Sequence, residues 1–125
     1  MVQSESINIL RQRAAEDLQV AEIILGNDDE LITQIGFHLQ QFVEKRMKVC
    51  LAEHGIDYPK THDLVMLLRL FPQKQIRDDN KTFAHILSRF AVESRYDEMT
   101  APPLDGQQLL NEAKKFTEFI ETLWN

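Results

Sequence analysis

The chain has 125 residues, 43% of them hydrophobic and 27% charged, with only four Gly and four Pro. That length supports one core and is too short for two, and the shortage of turn formers implies a few long elements. A formal charge of −6 excludes a surface that attracts nucleic acid all over, because phosphate binding needs a positive field, and leaves room only for a local basic patch.

Residues 1–6 carry no basic segment followed by an apolar core, and no apolar run approaches the roughly 18 residues of a membrane span, so a cytoplasmic protein is expected. The first helix is predicted from about Ser4 to Leu25. Ile7, Leu10, Ala14, Leu18, Ala21 and Ile24 recur at three and four residues along it, and Ser4 or Ser6 is placed to cap it. Gly26, Asn27 and Asp28 then offer a residue tolerant of positive φ and a fresh N-cap.

The second helix is predicted from about Asp29 to His54, stopping at Gly55. Its apolar residues form two overlapping stripes, Ile32, Leu39, Val43, Met47 and Cys50 beside Ile35, Phe42 and Val49, a breadth that suits a central helix. Cys50 is the one cysteine, which excludes a disulfide framework, argues against a thiolate metal cluster and points to a reducing compartment. Through the same segment runs a narrow polar seam, Gln34, His38, Gln41, Lys45 and Lys48, spaced four, three, four and three so that the side chains stack on one face.

Residues 56–60 contain Pro59 and read as an extended loop. Thr61 is the expected cap of a short third helix, with Asp63 in its first turn and Leu64, Leu67, Leu68 and Phe71 buried until Pro72 ends it. Asp78, Asp79 and Asn80 offer caps for a fourth helix carrying Phe83, Ile86, Leu87, Phe90 and Ala91 and reaching Tyr96. The last helix begins near Asp105, paired with Gln108 as a variant capping box, and its stripe of Leu109, Ala113, Phe116, Ile120 and Leu123 is the cleanest in the chain. With no repeat and no alternating strand pattern, the expected fold is all-α, an antiparallel up-and-down bundle of about five helices in a single domain over residues 1–125.

Three segments carry a resemblance to a known family. They are Ala14 to Ala21, with an acidic pair; Phe37 to Leu51, followed ten residues later by Thr61, His62, Asp63 and Leu64; and Arg95, Tyr96 and Asp97. A Gln-x-x-Glu-Lys helix leading into a His-Asp-Leu helix start, then Arg-Tyr-Asp, resembles the HEPN domain, helical bundles named for higher eukaryotes and prokaryotes. The family's proline between Tyr and Asp is missing here. The resemblance implies a bundle that dimerises and serves either as a ribonuclease or in nucleotide-linked binding. In the second class it implies partnership with a separately encoded minimal nucleotidyltransferase, in a toxin and antitoxin pair.

Family ribonucleases carry Arg, four to six residues, then His. Here Arg77 and His85 are separated by seven residues, as are Arg46 and His54, so that motif is absent as usually written. Metal-free RNA cleavage needs a base, an acid and a cation, and Arg77 with His85 supplies them only if a loop shortens the distance between them. The glycines stand beside no Gly-Ser turn with paired aspartates, so any transferase must come from a partner. The resemblance therefore favours a nucleotide-binding or phosphate-binding homodimer without cofactor or metal. An endoribonuclease toxin, acting on RNA through a degenerate pair, and a non-catalytic scaffold are the alternatives.

The expected ligand-binding residues are Arg95 and Asp97, a guanidinium to grip phosphate and a carboxylate to orient it, with Tyr96 stacking on a base. Gln41, Lys45 and His38 on the polar seam, together with His62, complete the set. Each has a plainer role to set against this. Arg95 is also placed to satisfy helix carbonyls, Tyr96 to pack, the seam to be a solvated face with exposed pairs from Glu44 and Lys48, and His62 to complete a cap beside Thr61. His54 suits a helix C-terminus, and Trp124 either anchors a dimer or closes the bundle's own end.

Overall fold

Helix α2, Ile32–Glu53, is the element around which the others pack. In the computed structural model, which describes residues 6–92 and 104–125, it is flanked by α1, Ile7–Asn27, and α5, Gly106–Glu121. The short α3, Leu64–Leu68, and α4, Asp78–Ser88, lie on it from another side, and α4 tightens into a 3-10 turn over Arg89–Ala91. The five helices form the expected all-α bundle, and no strand occurs among the described residues. The breadth of the α2 stripe is explained: Ile35, Leu39, Val43, Met47 and Leu51 have no exposed surface, because several helices cover them. No helix among the described residues is long and apolar enough to cross a membrane.

The helix ends show where local chemistry won. Ser6 caps α1, its Oγ accepting from the Ile9 N–H at 3.2 Å. Contrary to expectation, α1 runs through Gly26 to Asn27 without a positive φ at Gly26, whereas Gly55 has the positive φ expected of the stop after α2. Asp28 is spent on the reversal, its N–H donating to the Ile24 carbonyl and its carboxylate accepting from the Glu30 N–H at 3.0 Å, so α2 starts at Ile32 and not at Asp29.

Gly55 ends α2 with a φ of 70°. The Gly55 N–H donates to the Ala52 carbonyl at 3.0 Å and the Ile56 N–H to the Leu51 carbonyl at 2.9 Å, the paired bonds of a Schellman stop. The cap of α3 is Asp63 and not Thr61, since the Asp63 carboxylate accepts from the Val65 and Met66 N–H groups at 2.9 and 3.3 Å. Thr61 Oγ1 instead holds the Asp63 N–H. Arg77 occupies the cap position of α4, Asn80 Oδ1 accepting its N–H at 2.8 Å, which leaves Asp78 and Asp79 in the first turn facing the helix dipole. At α5 the reciprocal Asp105 and Gln108 bonds form as expected, at 2.8 and 2.9 Å.

Candidate functional site

The polar seam of α2 does not simply face water. Its centre is a carboxylate from another helix, Asp17 of α1, which the sequence presents as an acidic residue at the edge of an apolar stripe. His38 Nδ1 lies 3.0 Å from Asp17 Oδ1, and Lys45 Nζ donates to Oδ2. The chain of bonds continues inward. Lys45 also donates to Gln41 Oε1 at 3.3 Å, Gln41 donates to Gln40 Oε1 at 2.6 Å, and Gln40 donates to Glu44 Oε1 at 3.0 Å and to the His62 carbonyl at 2.9 Å.

Glu44 closes the network. Expected as part of an exposed pair, it is instead only 4% exposed, wedged where α2 meets the loop before α3. A buried carboxylate is tolerated only when its lone pairs are occupied. Lys48 Nζ supplies one bond at 2.9 Å, Gln40 a second, and His62 Nδ1 a third at 2.8 Å. Lys48 in turn lies over the Tyr58 ring, 5.6 Å from its centre. Two histidines thus share one arrangement, each with its Nδ1 against a carboxylate that also carries a lysine.

Both histidines border clefts. One, of about 280 Å³, is lined by His62, Asp63, His85, Ser88, Arg89, Ala91 and Val92. The other, of about 270 Å³, is lined by Thr33, Gln34, Phe37, His38, Phe90 and Ala91. Ala91 borders both, so the 3-10 turn separates two adjoining hollows. Phe37 meets the His38 ring edge-on at 5.2 Å, and Phe90 is held in place by packing on Gly36. In the first cleft Ser88 Oγ is occupied by the Leu64 N–H at 2.9 Å, and Asp63 by its cap. Arg89 pairs with no carboxylate among the described residues, so it is the cation at hand there.

The expected residues divide accordingly. His38, Gln41, Lys45 and His62 are brought into one network, whereas Arg95, Tyr96 and Asp97 lie outside the described residues. Arg77 and His85 are not brought together: Arg77 caps α4, His85 lies about 12 Å further along the axis, and Arg77 is absent from the cleft that His85 lines. His54 packs as a helix end, its Nδ1 2.9 Å from the Cys50 carbonyl and its ring stacked on Trp124 at 3.7 Å. Trp124 also meets Phe71, closing that end of the bundle. No three His, Cys, Asp or Glu side chains among the described residues are grouped to hold a metal ion. Sequence reasoning missed Asp17 because its partners His38 and Lys45 are 21 and 28 residues away, and missed Gln40 and Arg89 because the loop before α3 and the cleft that give them a role form only on packing.

Fold and site define a helical-bundle protein with a buried polar network opening on two clefts. A family model described as the HEPN domain matches residues 7–123, and the chain belongs to that family. The crystal structure of TT1696 from Thermus thermophilus is similar, with a TM-score of 0.73 and 24% sequence identity over 92% of this chain and 95% of that one, a likeness of fold. No curated protein matches the chain in sequence.

Proposed function

We propose that this protein binds a nucleotide or another phosphate-bearing ligand, with the phosphate in the cleft of His62, His85 and Arg89. The observation that carries this is the convergence of those three nitrogen-bearing side chains, from the loop before α3 and from the end of α4, on one hollow of about 280 Å³. Lys45, Gln41 and His38 are occupied by one another, by Gln40 and by Asp17, so on this reading they tie α1 to α2 and do not grip the anion. A forked guanidinium in a cleft that two imidazoles also line is suited to phosphate oxygens. The adjoining cleft, with Phe37 and the Gln34 amide, is suited to a flat ring.

The family setting adds a homodimer and a separately encoded minimal nucleotidyltransferase as partner, in a cytoplasmic toxin and antitoxin pair. Support for a self-association surface comes from α1, where Ile9, Val20 and Ile23 are 44%, 36% and 56% exposed and share the face opposite the buried one. Light scattering on the wild type and Ile23→Asp tests it, a mass of one chain for the wild type counting against the dimer. The ligand is tested by calorimetric titration with ATP, GTP and a short RNA, repeated on Arg89→Ala and Arg95→Ala. Saturable nucleotide binding, weakened at least tenfold in Arg89→Ala with its helicity intact, is the expected result. No binding by the wild type would leave a partner-dependent scaffold, and RNA cleavage lost in His85→Ala would favour the ribonuclease.

A further inference from the structure

Two stretches remote in the chain, Gln40 to Lys45 on α2 and the loop that carries His62 before α3, meet at the Gln40 bond to the His62 carbonyl and at a contact of 2.8 Å between His62 Nδ1 and Glu44 Oε1. The partners differ in character. The Glu44 side chain is 5% exposed and that of His62 69% exposed, so a buried, fixed charge holds one edge of a ring that borders the cleft. An ionised carboxylate only accepts, which puts a proton on Nδ1 and leaves Nε2 of the neutral ring as a lone pair. A lone pair repels phosphate oxygen. A ring with a second proton donates from Nε2 and keeps its bond to Glu44, so this geometry suits an anion in the cationic state alone.

The surroundings weigh both ways. Glu44 and Asp63 favour the charged ring, while Lys48 on the second Glu44 oxygen, with Arg89 and His85 across the cleft, opposes it. A bound dianion adds to the favourable side. We propose that Glu44 is a positioning residue that makes binding in this cleft proton-linked: a phosphate monoester enters together with one proton from solvent, taken up at His62 Nε2. The proposal rests on the reading of the cleft as a phosphate site.

The test is calorimetric titration of AMP at about pH 6 and pH 8, each in two buffers of different ionisation heat, on wild type, His62→Gln and Glu44→Gln. The ligand's own titration is common to all three proteins and cancels in the comparison. Glu44→Gln keeps an oxygen for the Nδ1–H while removing the charge and the acceptor that Lys48 uses, and circular dichroism checks its fold. Wild type is expected to take up more protons than His62→Gln and to lose about tenfold more affinity between the two pH values; Glu44→Gln is expected to bind about tenfold more weakly at the lower one. Equal proton uptake and equal pH profiles in all three overturn the proposal while the cleft remains a phosphate site. Failure of the wild type to bind AMP at either pH overturns both. Nitrogen-15 NMR of the free protein supplies a check independent of ligand and of the Glu44 variant: a neutral His62 ring protonated at Nε2 contradicts the proposal.

Discussion

Gly36 illustrates how a single position governs the neighbourhood of the clefts. A Cβ there would lie 2.3 to 2.5 Å from three atoms of the Phe90 ring, and Phe90 is itself only 1% exposed. The ring must give way, and because Phe90 belongs to the 3-10 turn and lines the second hollow, its shift disturbs the wall of that cleft. Gly36→Ala is therefore expected to cost about 1–3 kcal/mol, an overpacking penalty that outweighs the better helix propensity of Ala. Thermal denaturation measures it, and an unchanged midpoint would mean that Phe90 moves freely.

Cys50 behaves oppositely, as a group whose value to the fold lies in staying neutral. Burial, with a smaller push from Glu121 and opposed by Arg46 and Arg11, raises its thiol from 9.0 to about 11. The unfolded chain then loses this proton before the folded one does, so the contribution is complete below about pH 9 and is lost as pH rises toward 11. The wild type should lose more stability over that interval than Cys50→Ala, followed by denaturant melts at each pH. Parallel pH dependences would contradict the assignment. Asp17→Asn belongs here too: it removes the charge that serves His38 and Lys45, whose side chains are 29% and 19% exposed, at an expected cost of about 1–3 kcal/mol.

Among the helices, α2 sets the arrangement of the rest, and its ends are fixed by backbone geometry more than by charge. Gly55 at a φ of 70° makes the Schellman stop and turns Ile56 back onto the core. Gly55→Ala should destabilise by about 1 kcal/mol, because an L side chain disfavours this region although no atom lies near the added Cβ. Asp63→Ala, which frees the Val65 and Met66 N–H groups of the five-residue α3, is expected to cost about as much and to loosen the His62 loop. Exchange of the α3 amides, measured by NMR, should quicken in that variant while exchange in the middle of α2 stays slow. The surface ion pairs joining helices, Arg11 with Glu53, Arg46 with Glu121 and Lys114 with Glu22, are largely exposed and contribute less than either cap.

At the scale of the whole molecule, one continuous core joins all five helices, from Ala14 on α1 to Ile120 on α5. A core of this kind in a chain of 125 residues is expected to unfold as one unit. Trp124 reports on it, since its ring touches His54 at the end of α2 and Phe71 after α3 while itself following α5. Tryptophan fluorescence and far-ultraviolet circular dichroism should give coincident urea transitions. Separate midpoints would show that this end of the bundle opens alone.

Helical periodicity determined the bundle by itself: the α5 stripe and all of the α2 stripes but Ile32 are buried, α1 buries Leu10, Ala14 and Ala21 with Leu18 and Ile24 half-buried beside them, and the double stripe of α2 marks it as central. Such features are legible because a helix brings together residues three and four apart, so the pattern and its consequence lie in the same stretch of chain. The caps were less legible, since Asp63 competes with Thr61 for the cap of α3 and the cap of α4 falls on Arg77, the residue whose backbone is extended there, and not on Asp78, Asp79 or Asn80. Seam residues could be named from spacing, but not their partners. Asp17 lies 21 residues before His38, and Glu44 lies 18 before His62. The Glu44 and Lys48 pair follows from their spacing, but only the packing of α1 and of the α3 loop against α2 decided that these carboxylates leave water, take histidines as partners, and set two imidazoles beside adjoining clefts.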